Sequence, residues 1–198
     1  MKLVFRISLP RSVVIFMTIL VTWNTLPAQD TLAFNSLQFA LKIVENTNRE
    51  VFRSYWKPEK GLEGLIATPF YFGEIHGGIQ LKSFSGRADQ YPDIVSIYPF
   101  LGWGYQLSLP YKTRCYLGLR IGIDQMLFHE IEGYRHSESE VAMTLNATLS
   151  LPSFGRWTLM VSAGHETTFT YKRIHLLQFS AGIGYTITTP SWFKEFLK

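Results

Sequence analysis

The stretch "LNATLSLPSFGRWTLMVSAG", residues 145–164, decides the fold. Leu145, Ala147, Leu149 and Leu151 alternate with Asn146, Thr148 and Ser150 before the turn-forming "PSFG". After it, Trp157, Leu159, Val161 and Ala163 alternate with Thr158, Met160, Ser162 and Gly164. A period of two on both sides of a Pro/Gly turn is a β-hairpin. Its polar face holds small residues and few charges, so the question it poses is which face points inward.

The same alternation recurs along the chain. Stripes run through Leu37 to Ile43, Gly61 to Phe70, Ile75 to Leu81, Val95 to Leu107, Leu117 to Ile123, Val141 to Leu151, Trp157 to Ala163 and Leu177 to Ile187. These predict eight strands and an all-β fold. Connections are short at Tyr71 to Gly73, Leu109 to Lys112 and Pro152 to Gly155, and longer and polar at Glu45 to Lys60, Gly86 to Pro92 and His129 to Ser137, with a tighter "TYKR" at 170–173. Short turns at one end and long loops at the other predict an antiparallel up-and-down meander whose ends face different compartments.

The net charge of +4 is misleading as a guide to partners. Residues 1–29 carry Lys2, Arg6 and Arg11, the apolar run Val13 to Val21 and a small residue at Ala28, the pattern of a secretory signal peptide. Without those three cations the 19 Lys and Arg fall to 16 against 15 Asp and Glu. That balance argues against a nucleic-acid surface. Cys115 is the single cysteine, so no internal disulfide is expected. No later apolar stretch reaches the roughly 20 residues of a spanning helix. Residues 30–188 are expected to be either a soluble barrel or one that crosses a membrane as strands.

A soluble, lipocalin-like barrel carrying an apolar ligand would need an outer face stocked with Lys, Glu and Arg. The intervening positions instead read Ser96, Tyr98, Gly102, Gly104 and Gln106, then Gly118, Arg120, Gly122 and Asp124, then Gln178, Ser180, Gly182 and Gly184. Such residues suit the narrow, filled interior of an eight-stranded barrel. The expectation is therefore an inverted polarity: Leu, Ile and Val outward toward lipid, with Trp103, Tyr105, Trp157 and Tyr185 near strand ends as an interfacial girdle. The soluble barrel stays open as an alternative.

Parity sends Lys42, Glu63, Glu74, His76, Lys82, Arg120, Asp124, Glu140 and Glu166 toward the lumen. Mixed signs there predict a salt-bridge network and no appreciable channel, because an unpaired buried charge is costly. The first long loop, "ENTNREVFRSYWKPEKG", offers Phe52, Tyr55 and Trp56 either as surface-contact anchors or as a clasp over the barrel mouth. His129 and His136 near Glu130, Glu132 and Glu138 lack the tight spacing of metal ligands, so no metal site is expected. No Gly loop suited to phosphate appears; the Gly pairs 102/104 and 182/184 relieve lumen crowding.

This pattern resembles the small bacterial outer-membrane β-barrels of the OmpA transmembrane-domain and OmpX kind. The sharpest local match is "SAGIGYTI", Ser180 to Ile187, which looks like the terminal strand signal of such barrels, although Ile187 stands where an aromatic is usual and Thr188 to Lys198 follow it. The resemblance implies a monomer in the bacterial outer membrane. As partners it implies membrane lipid and lipopolysaccharide, the barrel-assembly machinery during insertion, and a surface ligand held by the loops. It implies no cofactor, and a structural, adhesive or protective role rather than catalysis. Some barrels of this size act on lipid A acyl chains; here "RHSES" (135–139) and "SAGHE" (162–166) hold the residue types, but alternation points Ser162 and Glu166 inward and His165 outward. Residues 189–198, with Thr189 as N-cap and Pro190 in the first turn, predict a short amphipathic helix on the periplasmic side.

Overall fold

The computed structural model describes residues 33–48, 52–71, 73–129 and 137–192. Residues 1–29, expected to be a leader, and the residues beyond Trp192 lie outside them; Ser191 and Trp192 open a helical turn. The strands are β1 (Ser36–Asn48), β2 (Trp56–Pro58), β3 (Lys60–Phe70), β4 (Gly73–Gly86), β5 (Ile94–Ser108), β6 (Arg114–Phe128), β7 (Ser137–Pro152), β8 (Trp157–Thr168) and β9 (Ile174–Thr188). All except β2 form one antiparallel ring, in which β4 pairs with β3 and β5, and β1 closes the circle against β9. The result is an eight-stranded barrel with no free edge.

The first long loop holds a helical turn, Phe52–Tyr55, and then β2, which extends the barrel wall by pairing Trp56 with Gly86 of β4. The long polar connection expected at Glu45 to Lys60 is shorter than that: β1 runs to Asn48, and Trp56–Pro58 finds unpaired backbone on β4 where β3 has ended. At the opposite end, Pro110 to Thr113 makes a tight turn in which the Thr113 N–H donates to the Pro110 carbonyl at 3.2 Å. Tyr111 (φ 60°) and Lys112 (φ 59°) both take the left-handed conformation whose twist matches a two-residue hairpin.

The polarity is inverted. Leu119, Val161 and Ile183 are 42, 53 and 47% exposed on the outer surface, while Lys42, Glu63, Lys82 and Glu166 are at most 2% exposed within the barrel. Glycine makes room for bulky inward side chains. A Cβ on Gly118 would lie 1.9 Å from the Tyr116 hydroxyl, whose ring lies across that position.

Candidate functional site: the barrel interior

Each inward charge is positioned by a strand register that puts alternate residues in the lumen. Lys42 of β1 lies directly opposite Glu63 of β3, and its ammonium donates to Glu63 Oε1 at 2.9 Å. Arg120 reaches the same carboxylate from the far wall, with Nη1 to Oε2 at 2.7 Å and Nη2 to Oε1 at 3.2 Å. That two-pronged geometry fixes the guanidinium plane. Lys42 also donates to Ser162 Oγ at 3.2 Å, and Arg120 Nε to His76 Nε2 at 3.2 Å. Among the described residues Glu74 meets this group through His76, at 4.0 Å from Nδ1.

A second group lies nearer the long loops. Lys82 of β4 bridges Asp124 of β6 at 3.1 Å and Glu166 of β8 at 2.5 Å. Ser96 Oγ donates to Asp124, Gln178 Nε2 donates to Glu166 at 2.6 Å, and Thr168 Oγ1 donates to Asp124 at 3.4 Å. The rings of Tyr98 and Phe100 lie beside the cations, 5.0 Å from Lys82 Nζ and 4.5 Å from Arg120 Cζ, where the faces of aromatic rings favour positive charge. Glu140 shares inward parity but stands apart: half-buried opposite Asp124 in register, it makes no ion pair among the described residues.

Above the charges the lumen turns apolar. Phe84, Ile94, Met126 and Leu176 are buried together, and Phe52, Trp56, Phe128 and Ile174 pack against them. Parity alone misses this plug, although a signal existed. Phe84, Met126, Ile94 and Leu176 each lie two residues along their strand from a polar lumen residue, respectively Lys82, Asp124, Ser96 and Gln178. The loop aromatics reach it from outside: Phe52 meets Phe84 edge-on at 5.4 Å and stacks with Trp56 at 4.9 Å, while Tyr55 meets Tyr91 at 4.9 Å. The Trp56 indole donates to the Pro92 carbonyl at 2.8 Å. A cavity of about 1080 Å³ opens between these aromatics and Glu138, Glu140, Lys172 and Arg173.

The residue types suited to acyl chemistry do not converge. Ser162 accepts from Lys42 and Thr148, Glu166 is held by Lys82, and the His165 ring stacks on His175 at 5.6 Å on the other face of the wall. His136 lies outside the described residues, as do Glu130 and Glu132 of the acidic loop. Among the described residues no cluster of His, Cys, Asp and Glu has the geometry of a metal site.

No family model matches the chain, and no curated protein is similar to it in sequence. Solved structures are similar in fold. Neisserial surface protein A superposes with a TM-score of 0.57 at 12% identity, over 76% of this chain and 95% of that one. Ail, the attachment invasion locus protein of Yersinia pestis, gives 0.54 at 14% identity, over 77% and 99%. The same protein in complex with the heparin analogue sucrose octasulfate gives 0.52 at 14% identity, over 77% and 98%. At these identities the likeness is one of architecture, and the chain has the eight-stranded barrel fold of small outer-membrane proteins.

Proposed function

We propose that the chain is an integral outer-membrane protein whose lumen is closed to ions and whose activity lies in the long-loop end, as a structural, adhesive or protective surface element. The observation that carries this reading is the inverted polarity. Leu41, Leu101 and Ile121 stand 59, 69 and 56% exposed around the barrel, a face that water would penalise and acyl chains accept. A closed ring of strands also pairs backbone groups that hydrocarbon would otherwise leave unsatisfied. Closure to ions is supported by the Lys42, Glu63 and Arg120 bridge between opposite walls and by the apolar plug above it. A non-catalytic role is supported by the separation of Ser162, His165 and Glu166.

Membrane fractionation, followed by gels of heated and unheated samples, tests the reading. The protein is expected in the outer-membrane fraction with a fold-dependent shift in migration; recovery in a soluble fraction would refute it. In planar bilayers no large, steady ohmic conductance is expected. Lipid A from cells with and without the protein is expected to show identical acyl patterns by mass spectrometry.

A further inference from the structure

We infer that the short-turn mouth of the lumen is a binding site for a small soluble oxyanion, of the size and charge of phosphate, held by Arg114, Lys112 and Arg156. The site needs only the closed barrel, so its test and that of the membrane reading fail separately. A cavity of about 320 Å³ opens there, lined by these three cations and by the hydroxyl-bearing residues Ser36, Thr158 and Thr186. Ser36 begins β1 and Arg114 begins β6, four strands apart in the ring of eight. Both share the inward parity of Lys42 and Arg120 on their own strands. A recess shared by opposite walls is the end of the lumen, turned away from the outer surface.

Charge in this recess has one sign. Of the inward cations, Lys42 and Arg120 share Glu63, and Lys82 holds Asp124 and Glu166. The Arg114 guanidinium, half-buried in the same lumen, makes no ion pair or hydrogen bond among the described residues. Glu74, the other carboxylate described in this half, is turned to His76. Among the described residues no carboxylate lines the cavity. The cavity at the long-loop end differs in kind: Lys172 and Arg173 are unpaired as well, but Glu138 and Glu140 line the same space. A half-buried cation without a counter-charge is costly, and a recess walled by one sign concentrates the opposite ion from solution.

Arg114 stands at the inner end of the recess. It also lines an enclosed pocket of about 10 Å³, shared with Lys42, His76 and Arg120, which has room for about one water molecule. An anion coming from the short-turn end therefore stops at Arg114. The planar guanidinium there offers parallel N–H groups to two oxygens of one ligand. Lys112 and Arg156 add charge from the exposed turns on either side. The Arg156 carbonyl accepts from the Thr186 N–H at 3.1 Å, which sets that cation beside a hydroxyl-bearing residue of β9. The hydroxyls of Thr158 and Thr186 donate to no protein group among the described residues, so their protons are left for ligand oxygens. Three cations and three hydroxyls offer more donors than a monatomic ion can take up, which favours an oxyanion over chloride.

The test uses the mature chain folded in neutral detergent micelles and titrated with inorganic phosphate by isothermal titration calorimetry, with sodium chloride holding the ionic strength constant. One saturable site is expected. Arg114→Gln is expected to weaken it by about tenfold, the worth of a hydrogen bond to a charged group. Lys112→Gln/Arg156→Gln, on the exposed turns, is expected to weaken it as well, and decides the matter if Arg114→Gln does not fold. Lys172→Gln/Arg173→Gln at the other end is expected to leave the affinity unchanged. Heat-dependent migration shows which variants have folded. No saturable site, affinity unmoved by the short-turn variants, equal losses from the long-loop variant, or the same heat from chloride alone would overturn the proposal. Phosphatidylglycerol placed in phosphatidylcholine vesicles with the folded protein is expected not to compete with phosphate, because the lining faces the lumen. Competition would move the site to the bilayer surface and overturn the assignment to a soluble anion.

Discussion

Two regions of one lumen are held by different forces. The waist, built on Lys42, Glu63 and Arg120 and on Lys82, Asp124 and Glu166, is tied across the barrel by ion pairs. The mouth, built on Phe84, Ile94, Met126 and Leu176, is packed apolar surface on which Phe52 and Trp56 settle from the loop. Charges taken out of water hold a wall only through their partners, and the loss of one partner strands the others. Apolar packing loses its stabilisation in proportion to the volume removed. The waist should therefore fail abruptly and the mouth by degrees.

Glu63→Ala should have the largest effect. It leaves Lys42 and Arg120 buried and facing each other, at a cost of about 3–5 kcal/mol. Urea unfolding in phospholipid vesicles, followed by tryptophan fluorescence, measures it. The triple change Lys42→Met/Glu63→Leu/Arg120→Met should recover most of that loss, since a packed apolar set of similar volume can replace a buried ionic one. If the triple variant is no more stable than Glu63→Ala, the waist is not the charge-balanced device described here.

Phe84→Ala should cost about 3 kcal/mol by opening a cavity beneath Phe52. The signature is local as well as global. Amide exchange in Phe52–Pro58 should quicken, because β2 pairs with the Phe84–Gly86 segment, while the waist amides of Lys42 and Arg120 keep their protection. Equal loosening of both regions would mean that mouth and waist form one cooperative unit.

The same contrast explains what the sequence could tell. Outward stripes and strand number follow from a period of two, and the inward charges follow from the same parity, so Lys42, Glu63, Lys82, Arg120, Asp124 and Glu166 were all legible. Which of them meet was not, because partners across the lumen depend on how far each strand is staggered around the ring. Asp124 and Glu140 are neighbours in register, yet Asp124 turns to Lys82 and Glu140 ends near the rim. The mouth was harder still. Apolar residues at inward parity look like errors in a polar stripe until the loop aromatics that cover them are placed. β2, three residues with a proline, is too short to show any period.

Gly118→Ala sharpens the waist. The added methyl meets the Tyr116 ring, and Tyr116 lies 3.5 Å from His76 Nε2, so the strain reaches the partner of Arg120. Overpacking of this kind costs about 1–3 kcal/mol. The companion change Tyr116→Phe should relieve part of it, because the closest approach is to the hydroxyl. A double-mutant cycle of the two, showing no coupling, would mean that the ring moves freely and that the glycine is not there for fit.

Asn46→Leu should have the smallest effect, and it tests the boundary between the regions. Asn46 stands opposite Gln178, whose amide serves Glu166 below it, while Leu176, two residues away on the same strand, belongs to the mouth. Both polar atoms of the Asn46 side chain are buried without a hydrogen-bond partner among the described residues. A polar group in that state carries a desolvation cost that no hydrogen bond offsets, so an apolar side chain of similar size should leave stability nearly unchanged or raise it by about 1 kcal/mol. Glu63 and Asn46 are equally hidden, and only the first is paired. A loss from Asn46→Leu as large as that from Glu63→Ala would show that burial of a polar group governs this lumen, and that pairing across it does not.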